Sequence, residues 1–115
     1  MNAILDLYIF VYDKNSQHYQ IVSTDPENLQ IPYINITENS DIELEAKKIF
    51  EKYMMLSSQY TTIKISNAEI RDKTLHLNYY SLSPFSCKTK EGSFLLNAQK
   101  YAVISKNIQQ IINIL

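Results

Sequence analysis

The segment from Ile4 to Tyr12 constrains the fold more than any other. Read with a period of two, Leu5, Leu7, Ile9 and Val11 fall on one face, and Ile4, Tyr8, Phe10 and Tyr12 fall largely on the other. A strand with one solvated side alternates apolar and polar residues. This strand is apolar on both sides, so it is expected near the centre of a sheet covered above and below. Any fold for the chain must supply two covering layers.

The rest of the sequence offers them. Asp13 to Ser16 reads as a turn, and Tyr19 to Ser23 as a second strand closing a hairpin. Thr24 to Asn28 is a loop, and Leu29 to Ile36 is extended, with Pro32 marking a strand edge or bulge. A helix is expected from about Asp41 to about Met55, because Ile42, Ala46, Ile49, Phe50 and Tyr53 recur on one stripe. Its start, after a turn at Thr37-Glu38-Asn39, carries a capping box: Ser40 is the cap and Glu43 reaches back to it. Thr61 to Ile70 is a half-buried strand with a slip near Ser66-Asn67, Arg71-Asp72-Lys73 is a tight turn, and Thr74 to Ser83 is its partner strand. Pro84 to Glu91 is a polar loop. Ser93 to Leu96 and Lys100 to Val103 read as short extended pieces. Ser105 to Leu115 reads as a second helix, with Ile104, Ile108, Ile111, Ile112 and Leu115 on one apolar stripe. The order implies an α+β class, a mixed β-sheet flanked by two helices, in one domain over residues 1–115.

Composition narrows the function classes. Lys and Arg nearly balance Asp and Glu, at a formal net charge of −1, so no basic footprint for nucleic acid is visible and nucleic acid is not an expected partner. Cys87 is the only cysteine, which excludes an internal disulfide framework and fits a reducing compartment. No apolar run approaches membrane-span length and no basic leader opens the chain, so a soluble, cytoplasmic protein is expected. Glycine occurs once, at Gly92, whereas loops that wrap phosphates need glycine for close backbone approach. The abundance of Asn, Ile, Lys and Tyr fits an AT-rich coding background, such as a phage or a low-GC bacterium.

The stretch from Leu29 to Leu56 carries a family resemblance. The Nudix signature is G-x5-E-x7-R-E-U-x-E-E-x-G-U, with U a bulky apolar residue, and it usually follows a Leu-Pro-Gly-Gly-like turn. The present sequence lies on that pattern without a gap and resembles a Nudix-like α/β/α sandwich. Ile31-Pro32 falls on the Leu-Pro, and Tyr33 and Ile34 replace its glycines. Asn39 and Ser40 replace the Gly-Glu step. Ala46 falls on the usual alanine and Lys48 on the arginine. Ile49 replaces the first glutamate of the metal-binding run, Phe50 keeps the bulky position, and Lys52 and Tyr53 replace the paired glutamates. Met55 replaces the last glycine and Leu56 keeps the closing apolar residue.

In the family, the helix glutamates hold Mg²⁺ or Mn²⁺ against a diphosphate that water attacks. Hard cations need several oxygen ligands. The resemblance therefore implies a scaffold with degenerate box positions at Ile49, Lys52 and Tyr53, no metal and no cofactor. It leans away from catalysis and toward a binding or assembly module that contacts a protein partner or a second copy of itself. A vestigial nucleotide pocket stays open. The candidate contact residues are Lys47, Lys48 and Lys52 on the helix and Tyr79 and Tyr80 on a strand. One alternative is a divergent hydrolase of a nucleoside diphosphate derivative, with carboxylates drawn from Glu38, Glu69 and Asp72. Another is an unrelated α+β adaptor. His18, His76 and Cys87 read as ordinary polar side chains, since none has a ligand or base at a fixed spacing.

Overall fold

The computed structural model describes residues 2–83 and 87–115. Strand β1 (Asn2–Asp13) is the centre of the sheet. It runs parallel to β5 (Thr74–Ser83) along one edge. Along its other edge it pairs antiparallel with β2 (His18–Ser23) through its second half and with β3 (Tyr33–Ile36) through its first. β4 (Thr62–Arg71) pairs with β5, and β6 (Phe94–Asn97) pairs with β2. The six-stranded sheet has the order β4-β5-β1-β2-β6, with β3 attached, among the described residues, to β1 alone.

The two apolar faces of β1 meet two separate cores. Leu5, Leu7, Ile9 and Val11 pack against Ala46, Ile49, Phe50 and Met54 of helix α1 (Ile42–Tyr53) and the residue that follows it. Tyr8 and Phe10 pack, with Ile21, against Ala98 of α2 (Ala98–Ala102) and Ile108 and Ile111 of α3 (Lys106–Ile114). The expected sandwich is present, but one of its outer layers contains two consecutive helices.

Three local expectations are corrected. Lys100 to Val103 is not extended: Asn97 accepts from the Gln99 amide at 3.0 Å and starts α2, which turns Tyr101 and Ala102 onto the second core. The Ser40–Glu43 box is not the cap. Asp41 Oδ1 accepts from the Leu44 amide at 3.2 Å, whereas Ser40 Oγ accepts from the Thr37 amide at 2.9 Å and closes the preceding turn. The extended segment from Leu29 forms ladder only from Tyr33 onward. The slip near Ser66-Asn67 is a register shift between Ile65 and Asn67, as expected. The first residues of the expected loop at Pro84 lie outside the described residues.

A segment from Cys87 to Ser93 straps the end of α1. Lys90 N donates to the Tyr53 carbonyl at 2.8 Å and Met55 N to the Lys88 carbonyl at 2.9 Å, while the Lys90 ammonium donates to the Glu51 carbonyl. The two bonds from Lys90 satisfy C-terminal carbonyls that a helix leaves open. Among the described residues no helix is long and apolar enough to cross a membrane.

Candidate functional site

The face of α1 that looks toward β3 forms the wall of a groove. Capping at Asp41 and the apolar stripe fix the rotation of α1, so that Ile49 turns inward, at 4% exposure, against Leu5, Leu7 and Phe50. Lys48, Lys52 and Tyr53 then stand at its rim. Tyr33 and Ile34 face them across a narrow cavity of about 110 Å³ lined by these six side chains. This cavity shares Tyr33, Ile34 and Tyr53 with a neighbouring cleft of about 710 Å³ that is also lined by Pro32, Gln30 and Thr24. The far wall is held by a buried serine: Ser23 Oγ donates to the Asp25 carbonyl at 2.7 Å and accepts from the Gln30 amide at 3.0 Å.

The charges around the groove are unevenly compensated. Lys48 reaches Glu45 at 3.4 Å, one turn back along the helix. The Lys52 ammonium lies 5.3 Å from the centre of the Tyr53 ring, a cation–π contact, and among the described residues it makes no ion pair. Glu51 points away. Its carboxylate accepts from the Ser58 amide at 3.0 Å, and that bond holds it below the usual glutamate range.

The five expected contact residues fall in three places. Lys48 and Lys52 share the groove. Lys47 lies on another flank of α1, in a 290 Å³ cleft with Glu43 and Tyr79. Tyr80 is on the opposite face of the sheet, beside Leu82 and the end of α3. The carboxylates Glu38, Glu69 and Asp72 do not converge: Glu38 edges the turn before α1, Asp72 sits in the β4–β5 turn, and Glu69 belongs to the other sheet face. Among the described residues no three His, Cys, Asp or Glu side chains are grouped to hold a metal ion.

That other face carries a polar network that sequence reading missed. Asn107, on α3, donates to Tyr8 Oη at 3.2 Å and to Glu69 Oε1 at 3.0 Å, and accepts from Asn67 at 3.1 Å. Buried Asn78 donates to Asn67 and Glu69 at 2.7 and 3.1 Å. His76 Nδ1 lies 2.7 Å from Asp6 Oδ2, and Arg71 bridges Asp6 at 3.6 Å and Glu69 at 3.2 Å. The Asn107 bond pulls the Glu69 carboxyl below its usual range, and burial pushes the Tyr8 phenol up. The sequence signal was present in Asp6, a charge inside an otherwise apolar strand. The geometry ties α3 to the sheet.

No protein-family model and no curated protein sequence matches the chain. Solved structures do. The Ap4A hydrolase of C. elegans, as a binary complex, superposes with a TM-score of 0.67 at 7% identity, over 99% of this chain and 97% of that one. The fold is Nudix-like, as solved structures of the NUDIX and mutT/nudix families show. The NUDIX domain of Shewanella oneidensis NrtR, complexed with ADP ribose, is similar at a TM-score of 0.60 and 14% identity, covering 96% of this chain and 86% of that one. The C-terminal domain of mouse MUTYH, in complex with human PCNA, is similar at 0.69 and 8% identity, covering 98% and 86%. At such identities the Nudix likeness fixes the layers and leaves the ligand open.

Proposed function

We propose that this Nudix-fold chain is a non-catalytic binding module that engages a protein partner through the groove between α1 and β3. The observation that carries the reading is the chemistry of the groove wall. Where the family signature places metal-holding glutamates, this helix presents a buried hydrocarbon, an ammonium and a phenol at Ile49, Lys52 and Tyr53. Mg²⁺ and Mn²⁺ need a set of oxygen ligands, mostly anionic. The donor set here does not fit them, and an ammonium at Lys52 repels a cation. The other carboxylates at the helix do not gather at the groove: Asp41 caps α1, Glu45 pairs with Lys48, Glu51 accepts from Ser58, and Glu43 lies in the separate cleft with Lys47 and Tyr79.

An exposed aromatic side chain beside a cleft, such as Tyr33 at 61% exposure, suits protein contacts. The MUTYH domain solved with PCNA supports the reading that this architecture can serve a protein partner. The NrtR domain solved with ADP ribose keeps a nucleotide as the competing ligand. The test is a panel of nucleoside diphosphate derivatives, including ADP-ribose, incubated with the protein and Mg²⁺ or Mn²⁺. No phosphate release and no saturable metal-dependent rise in melting temperature are expected. Release above a no-protein control overturns the non-catalytic reading. Light scattering separates a foreign partner, which leaves the free chain monomeric, from a second copy.

A further inference from the structure

We infer that the partner segment bound at this groove is an extended, acidic peptide that adds to the sheet as a strand beside β3. The inference rests on the binding-module reading above and names the occupant. Two independent observations meet here, one in the backbone and one in the charges.

The backbone observation is an open edge. β3 pairs with β1 and with no other strand among the described residues. The Leu7 amide donates to the Pro32 carbonyl at 3.0 Å, and the register places Leu5 opposite Ile34 and Ala3 opposite Ile36. In an antiparallel ladder alternate residues exchange both bonds with their partner. Ile34 and Ile36 therefore spend their amides and carbonyls on β1, and Tyr33 and Asn35 turn theirs outward. Both residues line the 710 Å³ cleft. An incoming strand meets two donors and two acceptors, the pattern that β-strand addition uses. The other two edges are less suited. β4 carries the bulge between Ile65 and Asn67, a feature that disfavours edge pairing, and short β6 has neither the cleft nor the lysines.

The charge observation sets the sequence of the segment. Ile34 turns toward the α1 core, so residues of an added strand on that same face approach the helix rim. Lys48 and Lys52 are four residues apart, a rise of about 6 Å along the helix. Same-face residues on a strand repeat every ~6.8 Å. Carboxylates at positions i and i+2 of the added strand thus match the lysine spacing, and Lys52, which makes no ion pair among the described residues, is the stronger of the two contacts.

The experiment uses the full chain, labelled with nitrogen-15, and the synthetic peptide Ac-Thr-Glu-Val-Glu-Thr-Val-amide. Three comparisons accompany it: the peptide with lysine for each glutamate, the peptide N-methylated at alternate residues, and inorganic pyrophosphate. Expected are shifts at Tyr33, Asn35, Lys48 and Lys52 with slowed exchange of the Tyr33 and Asn35 amides. The lysine and N-methylated peptides are each expected to bind at least about ten-fold more weakly. The K48E/K52E double variant, at exposed positions, is expected to reverse the preference toward the lysine peptide. Equal affinity for both charge forms, insensitivity to N-methylation, or pyrophosphate shifting Lys48 and Lys52 while the acidic peptide does nothing each overturns strand addition. Such a result, without nucleotide hydrolysis, leaves the non-catalytic reading in place. Hydrolysis in the nucleotide panel removes that reading on its own evidence.

Discussion

Replacing Ile49 by glutamate separates a core position from an emptied ligand position. Ile49 is 4% exposed and packs on Leu5, Leu7 and Phe50. Removing its buried hydrocarbon costs about 1.5–3 kcal/mol. Placing a carboxyl there without a partner adds about 1–3 kcal/mol even when it is neutral. The combined loss is a large part of the roughly 5–15 kcal/mol that holds an ordinary domain. Urea titration followed by far-ultraviolet circular dichroism measures it, at pH 5 and pH 8, each against the unchanged protein. Burial raises the pKa of the introduced carboxyl in the folded state. A group raised on folding costs least below its unfolded value, and the cost grows as pH rises through the folded value. The deficit of Ile49→Glu should therefore be larger at pH 8 than at pH 5, and Mg²⁺ should not repair it. Lys52→Glu, on the exposed rim, should stay within about 0.5 kcal/mol of the unchanged protein. A loss under about 1 kcal/mol for Ile49→Glu with no pH dependence refutes the core assignment and returns the position to a solvated site.

Three further outcomes follow from the geometry. Glu69 lies below its ordinary value of 4.5 in the fold, so the stability it contributes is present above that value and is lost as pH falls through the lower, folded one. Asn107→Ala removes the largest cause of that shift and should flatten the acid limb of the melting-temperature profile. Asp72 and Lys73 both hold positive φ, at 49° and 64°, in the two-residue β4–β5 turn, a geometry that asparagine and glycine adopt at less cost. D72N/K73G should gain about 0.5–1.5 kcal/mol in urea titration, and a loss contradicts the turn geometry. Asp41→Ala should cost about 1 kcal/mol of stability by the same titration, because Asp41 is the residue that caps α1.

The sequence carried the fold well where one pattern dominated. The two faces of β1 sort into the two cores as their alternation implies, and the stripe on α1 is the stripe that packs. Reading failed where neighbouring options were close in energy. Ser40 and Asp41 are both good caps, and only the turn from Thr37 decides that Ser40 is occupied. Lys100 to Val103 is too short to show a period, and the packing of Tyr101 and Ala102 decides it. For the site, residue type was legible but not convergence. Tyr79 and Tyr80 are adjacent in sequence, and so on opposite faces of β5, and Lys47 turns away from Lys48 on the helix. The Asp6–His76 and Tyr8–Asn107 contacts join residues 70 and 99 positions apart, a distance over which no local pattern reports.

The position of β1 also has a consequence during synthesis. Both of its faces and one entire edge are completed by elements that come later, and β5 begins roughly 60 residues after β1 ends. At translation rates of about 5–20 residues per second, the edge of this apolar strand that pairs with β5 stays open for roughly 3–12 seconds on each ribosome. In that interval the β2 hairpin and then β3 shield the other edge and α1 becomes available to one face, while the face that meets α2 and α3 waits until after β5. The chain's exposure to aggregation is thus set by the order in which its strands are made, and chaperone contact in the cell should concentrate on nascent chains that hold β1 but have not yet released β5.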